Sequence, residues 1–268
     1  MIRRPGIPGR IYYAFILIFL YAPIFLLIVF SFNNTRSRSV WTGFTFDWYK
    51  SLIMDGSIMN SLYTSLIIAL TSAILATIAG TFAAVGFYHM RRRWRTPLLH
   101  INNIPMMNAD IATGVSLSLL FISLGSVLKF RLGFGTLLLA HITFNIPYVI
   151  LSIMPKFHQL DNNLVDAACD LGCTWIQAFR KVIIPEIMPG IINGLIIAFT
   201  LSIDDFVISY FTAGGNVMTL PMQIFAMTRR RISPEINALS TILFLTVLIL
   251  LIVINTRQIK QEDKLKSI

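Results

Sequence analysis

Long apolar runs separated by short polar stretches fill this chain. Runs near 11–32, 61–88, 98–128, 133–154, 188–211 and 237–256 each reach the roughly 20 residues needed to cross a hydrocarbon core. They predict an all-α membrane protein with six transmembrane helices in a single domain over 1–268. The second run carries Ala76, Gly80 and Ala84 at four-residue intervals, a face that another backbone can approach closely, so it belongs inside a bundle. The first follows a basic start, Met1 to Arg10; it is too long for a signal-peptide core and has no small-residue cleavage site, so it is expected to remain as a span. No internal repeat or low-complexity segment interrupts the pattern.

The most organised polar stretch runs from Asp161 to Pro189. Asp161 is placed to cap a helix with Leu164, Ala168 and Leu171 on one face, and Leu160 and Val165 can staple its start. Gly172 ends that helix. Thr174 and Gln177 then have capping-box spacing, and Trp175, Phe179, Val182 and Ile183 recur at helical intervals until Pro185 and Pro189 stop or bend the element. The expected product is helix, glycine turn, helix, with Ala167 and Ala168 leaving room for a docking surface; the plainer alternative is a solvated loop. Two further polar stretches lie between runs. The 33–60 loop holds Trp41, Phe44, Phe46, Trp48 and Tyr49, a set that anchors at membrane interfaces. The segment from Thr212 to Ile236 has Gly214-Gly215 and Pro221 followed by Met222, Ile224, Phe225 and Met227, and is expected to lie on or dip into the membrane surface.

Composition agrees with this layout. The 268 residues are 56% hydrophobic and 13% charged, whereas a soluble domain is about a quarter charged. The formal net charge of +10 would suggest nucleic acid in a soluble protein, but these basic residues sit in short loops beside spans, where they set topology. Arg3, Arg4, Arg10, Arg91, Arg92, Arg93, Arg95, Lys156, Arg180, Lys181, Arg257, Lys260, Lys264 and Lys266 fall on one side of a six-span layout. Fewer lie on the other: Arg36, Arg38, Lys50, Lys129, Arg131 and Arg229-Arg230-Arg231. Both termini and the 155–187 loop are therefore expected in the cytoplasm. The outer arginine triple is the exception, either a contact for lipid or a partner protein or plain solvation.

Catalysis is not expected. The two cysteines, Cys169 and Cys173, read as reduced, and with His89, His100, His141 and His158 scattered there is no metal-ligand spacing. No serine sits in a Gly-x-Ser-x-Gly elbow, and no Gly-x-x-x-x-Gly-Lys-Ser/Thr loop exists to cradle ATP.

Three carboxylates lie inside apolar runs: Asp110 in the third, Asp204 and Asp205 in the fifth. An acid at the bilayer centre costs about 2.5–3.5 kcal/mol on insertion scales, so these should face a wet cavity. Counted at about 1.5 Å per residue along outward-running helices, Asp110 and Asp204 fall at neighbouring depths, roughly 18 and 24 Å. Adjacent residues differ by about 100° around a helix, so Asp204 and Asp205 cannot both point at one ligand; the other can hold a neighbouring helix through Ser202, Ser209 or His141. A path lined this way suits a cationic solute, with aromatic faces adding cation–π attraction. The alternative is that the acids are protonated or hydrogen-bonded packing elements. His141, Asn145 and Pro147 in the fourth run read as a proline kink satisfied by polar neighbours.

Asp166-Ala167-Ala168, then Gly172 after three residues and Pro185 further on, resemble the EAA loop of ABC importer permeases, with Asp166 in place of the usual Glu. Within that group, Phe32-Asn33-Asn34, Trp48-Tyr49, Asp110, His141-Ile142-Thr143-Phe144, the segment from Phe199 to Asp205 and that from Ser233 to Leu239 look like the PotC-type permeases of spermidine/putrescine importers. The resemblance implies a type I ABC importer permease fold in the bacterial inner membrane, with Asp166, Ala167, Ala168, Gly172 and Pro185 in a coupling helix that sits on the ATPase. It implies a second permease as heterodimer partner, an ATPase pair that binds ATP and Mg, and an external solute-binding protein. It also implies that Trp48, Asp110, Asp204 and Asp205, with Ser202 beside them, are solute-path positions. Two other readings stay open: an importer permease for a different small solute, and a non-transporting scaffold that presents the 161–189 hairpin.

Overall fold

The computed structural model describes residues 7–35, 40–230 and 234–266. Arg3, Arg4, Arg36, Arg38, Arg231 and Ser233 lie outside these, as do the side chains of Val165, Arg230, Arg257, Lys260, Lys264 and Lys266. Among the described residues twelve α-helices follow one another, and the β-structure is one isolated bridge, Asn33 to Phe44. In order they are α1 (Ile7–Phe30), α2 (Asp47–Met54), α3 (Gly56–His89), α4 (Arg92–Met107), α5 (Asp110–Leu128) and α6 (Phe134–Gln159). There follow α7 (Asn162–Asp170), α8 (Trp175–Ala178), α9 (Ile184–Ile203), α10 (Val207–Thr212), α11 (Leu220–Arg230) and α12 (Pro234–Lys266). A π-helical turn, Phe179–Ile183, joins α8 to α9 without a break.

Among the described residues five helical stretches are long and apolar enough to cross a membrane: Gly9–Phe30, Gly56–His89, Asp110–Leu128, Phe134–Gln159 and Trp175–Ile203. The predicted sixth run is represented by the shorter apolar stretch Pro234–Ile249 of α12. The chain divides into two compact units, one of Met1–Met59 with Gln223–Val253, the other of Asn60–Met222 with Ile254–Ile268.

In the first unit the 33–60 stretch is not simply a loop, because it contains α2. Asn33 organises it. Fully buried, it donates Nδ2 to the Val40 carbonyl at 2.8 Å and accepts from the Thr42 N–H at 3.1 Å, while its own carbonyl accepts from Trp48 Nε1 at 2.8 Å. The aromatic rings stack on one another: Phe32 on Phe44 with centroids 5.1 Å apart, and on Tyr49 at 5.2 Å.

The second unit is built around α6, whose helix runs unbroken through Pro147 and Pro155. Val149, Ile150, Ile153, Met154 and Phe157 on α6 form one apolar cluster with Ala73 and Ala84 of α3, Ile183 of the π turn, and Ile187 and Ala198 of α9. Close approach is made by glycines. A Cβ on Gly80 would stand 2.7 Å from Val149 Cγ1, and one on Gly194 would stand 3.1 Å from the same atom. The small-residue face predicted on α3 is thus packed against α6, with Ala76 and Ala84 fully buried.

Two predicted spans are broken. The third run splits at Asn108–Ala109 into α4 and α5, and α4, interrupted by Pro97 and Pro105, has no buried residue. The fifth begins earlier than predicted, at Trp175, and its helix stops at Ile203 before the short α10. Pro185 and Pro189 therefore do not end the hairpin helix. The π turn absorbs Pro185: the Ile184 N–H reaches back five residues to the Phe179 carbonyl, and the wider turn accommodates a ring that would clash in a regular helix.

Candidate functional site

The polar hairpin forms largely as its local signals dictate. Asp161 accepts from the Asn163 N–H at 3.0 Å and starts α7. The helix closes in a Schellman motif: Gly172 N–H to the Cys169 carbonyl at 2.9 Å, and Cys173 N–H to the Ala168 carbonyl at 3.0 Å. Gly172 has φ +83, a conformation open to glycine and strained for other residues. Thr174 and Gln177 complete the capping box, each side chain taking the other's backbone N–H at 3.4 and 2.9 Å. Trp175 stacks on Phe179 at 5.5 Å and meets the His89 ring at the end of α3 edge-on at 5.9 Å, which ties the hairpin to the bundle. Asp166, Ala167 and Pro185 are exposed and Ala168 half-buried, beside apolar Leu171 at 86% and Ile176 at 66% exposure. Apolar side chains standing this far out of a water-facing turn suit a protein contact.

The carboxylates occupy the two breaks. Asp110 is the first residue of α5, so it does not lie some way along its helix as the depth count expected. There its negative charge faces the positive end of the helix dipole. Asp204 caps the C-terminus of α9, is exposed, and has no salt-bridge partner among the described residues. At that end its charge adds to the negative end of the dipole and the unpaired carbonyls of the last turn, concentrating negative potential. Asp205 turns the other way: its carboxylate accepts from the Ile208 N–H at 3.2 Å and the Ser209 N–H at 2.8 Å, capping α10, and stands 3.6 Å from His141 Nε2.

α10 lies against α5. A Cβ on Gly114, one turn beyond Asp110, would stand 3.5 Å from both Ile208 Cα and the Val207 carbonyl oxygen. The start of α5 and the 204–206 turn therefore share one neighbourhood. Ser202 is buried beneath it, 3.1 Å from Ser72 Oγ and accepting from Asn145 Nδ2 at 2.7 Å. The structure brings Asp110, Asp204, Asp205 and Ser202 into one unit; Trp48 belongs to the other, half-buried and engaged with Asn33.

Residues 76–259 match the family described as binding-protein-dependent transport system inner membrane component. The chain belongs to that family. It is 38% identical over 249 residues to the spermidine/putrescine transport system permease protein PotC of Escherichia coli strain K12, covering 93% of this chain and 92% of that protein. It is 40% identical over 228 residues to the putrescine transport system permease protein PotI of the same strain, covering 84% of this chain and 81% of that one. Among solved structures, a bacterial ABC transporter involved in the import of the acidic polysaccharide alginate superposes with a TM-score of 0.72 at 16% identity, over 94% of this chain and 95% of that one. The MetNI methionine ABC transporter gives 0.59 at 17% identity, over 75% and 94%. The fold is that of a type I ABC importer permease, and the protein is a transporter subunit of the inner membrane rather than an enzyme.

The structure takes up the expectation that one aspartate holds a neighbouring helix through His141, and adds Asn145, which the sequence placed only beside the Pro147 kink. They do not serve the Pro147 kink. His141 Nε2 lies 3.0 Å from Ser209 Oγ and Asn145 donates to Ser202, so both reach across to the segment that carries the carboxylates. Their four-residue spacing, which puts two polar groups on one face of an apolar helix, was the available signal. In the arginine run, Arg229 lies over the Phe225 ring at 4.7 Å within α11.

Proposed function

We propose that this permease moves polyamines, spermidine or putrescine, into the cytoplasm, and that Asp110 and Asp204 are the carboxylates that meet the ammonium groups on the way. The observation that carries the reading is Asp204: an exposed carboxylate at the negative end of α9, without a basic partner among the described residues. Concentrated negative charge of this kind in a spanning segment borders a wet cavity and attracts a cation entering it. Similarity to PotC and PotI, whose names specify polyamines, supports the same solute class. Asp205 and Ser202 support the path from behind, and Trp48 contributes from the outer aromatic layer.

Transport requires partners. The hairpin around Asp166, Ala167, Ala168, Gly172 and Pro185 docks on a separate ATPase pair that binds ATP and Mg. A second permease completes the path, and an external binding protein delivers the solute. Both termini lie on the ATPase side, as the arginine and lysine distribution supports. Uptake of labelled spermidine by the assembled importer, with putrescine and a neutral chain of equal length as competitors, tests the reading. Competition by putrescine alone is expected; equal competition by the neutral chain would refute a charge-selective path.

A further inference from the structure

Behind the exposed carboxylates runs a line of buried polar groups that solute contact leaves unexplained. His141, 1% exposed on α6, meets the Ser209 hydroxyl at 3.0 Å and the Asp205 carboxylate at 3.6 Å. One turn along α6, fully buried Asn145 bonds Ser202 on α9, whose hydroxyl lies 3.1 Å from Ser72 on α3. Space-filling alone does not account for a histidine here. Among the described residues His141 Nδ1 and Asn145 Oδ1 have no hydrogen-bond partner, and each buried orphan costs about 1–3 kcal/mol that an apolar side chain would avoid.

What the ring supplies is a hold on Asp205. Asp204 and Asp205 lie between the two helices, and the ladder of α10 begins only at Phe206, whose carbonyl accepts from the Tyr210 N–H at 2.9 Å. Asp205 sets the direction of the chain there by accepting the two free amides at the start of α10, and it does so only while its carboxylate is kept from turning outward to water. His141 is the side chain from another helix that meets it there. Asp204, its neighbour in the chain, is exposed where Asp205 is half-buried.

We propose that His141 is a positioning residue for transport: by holding Asp205 against the amides of α10 it fixes the 204–206 turn, and thereby the direction in which Asp204 faces. The proposal rests on reading Asp204 as a solute-path carboxylate. The two are separable by experiment, because the turn can be observed without transport.

The importer, assembled with its partner subunits in lipid nanodiscs and proteoliposomes, is compared as wild type, His141→Leu, His141→Gln, Ser209→Ala and Asp204→Asn. Hydrogen–deuterium exchange of the 205–212 peptide reports the turn; spermidine uptake reports half-saturation and maximal rate separately. His141→Leu removes the hydrogen bond to the Ser209 hydroxyl and the 3.6 Å contact with Asp205; a hydrogen bond of about 1 kcal/mol is worth about fivefold, so exchange should speed about fivefold and the half-saturating concentration rise by a similar factor, with maximal rate within about twofold. Gln can place a donor near Nε2 and should restore both to within about threefold, a rescue that packing alone would not give. Ser209→Ala should shift both in the same direction by less, and serves if the Leu variant does not assemble. Unchanged exchange in the His141 and Ser209 variants overturns the proposal. So does faster exchange with unaltered half-saturation while Asp204→Asn raises it. If Asp204→Asn itself leaves uptake unaltered, the path reading falls and takes the transport role of His141 with it, leaving only its hold on the turn.

Discussion

The hairpin from Asp161 to Ile183 and the turn from Asp204 to Phe206 are both polar departures from an apolar chain, held in opposite ways. In the hairpin every cap and turn bond closes within five residues, from Asp161 and Asn163 to Ala168 and Cys173. At the turn Asp205 closes a local cap on α10, but the remaining bonds join distant segments: His141 to Ser209, Asn145 to Ser202, Ser202 to Ser72. The difference follows from solvent. Where water can reach, it satisfies whatever the chain does not, so a polar hairpin can be specified locally. Inside the membrane, an interrupted helix must find protein partners for its freed groups, so its shape depends on neighbouring helices. Substitutions should accordingly stay local in the hairpin and spread from the turn.

The largest effect is expected where α3 meets the helix that supports the turn. Gly80→Val places its branched side chain where even a Cβ would be 2.7 Å from Val149 Cγ1, an overpacking worth about 3 kcal/mol. The melting temperature of the purified importer and its membrane abundance should fall, and Val149→Ala should recover part of both. No recovery would place the damage elsewhere than at α6.

Gly172→Val comes next and tests the local side of the comparison. No atom lies within 4 Å of a Cβ there, so the cost is backbone strain alone, about 2 kcal/mol for a branched residue at φ +83. ATPase recovered in a pull-down should fall more than about tenfold while membrane insertion is unaffected; Gly172→Asn, which tolerates this conformation, should lose far less. Equal recovery with Val would count against the docking role.

Asp204→Asn and Asp205→Asn separate the two faces of the turn. Asp204→Asn should raise the half-saturating spermidine concentration about tenfold, the worth of one charge-assisted contact, with melting temperature unaltered. Asp205→Asn weakens the cap of α10 and should lower the melting temperature as well as uptake. Indistinguishable behaviour of the two would undo their division of roles.

How much of this could be read from the chain alone follows the same line. The hairpin was legible in detail because Asp161, Gly172, Thr174 and Gln177 each act on backbone within reach. The π turn was not, since nothing local distinguishes a proline that ends a helix from one that a widened turn absorbs. In the membrane the identities of Asp110, Asp204 and Asp205 stood out, but the helix breaks beside them did not. No proline or glycine lies between Ser202 and Phe206 to mark the end of α9, and the partner that Asp205 meets on another helix, His141 at 3.6 Å, is distant in the sequence. His141 was legible as one of three groups through which the second aspartate could hold a neighbouring helix, as well as a part of the Pro147 kink, whereas Trp48, seen as one of several interface aromatics, gave no sign of its bond to Asn33.

The smallest expected effect is the sharpest test of local control. Thr174→Ala removes one half of the capping box without touching the core, since Thr174 is exposed and its bond to the Gln177 amide spans three residues. Losing an N-cap costs about 1 kcal/mol, which is about a fivefold rise in the fraction of time the first turn of α8 is open. Cys173 sits half-buried immediately before that cap, while Cys169 is already exposed one turn back in α7. In permease freed of its ATPase, maleimide labelling of Cys173 should therefore quicken about fivefold with Cys169 unaltered. A parallel rise at Cys169 would mean that α7 opens together with α8, and that the hairpin is one cooperative unit rather than two helices capped independently.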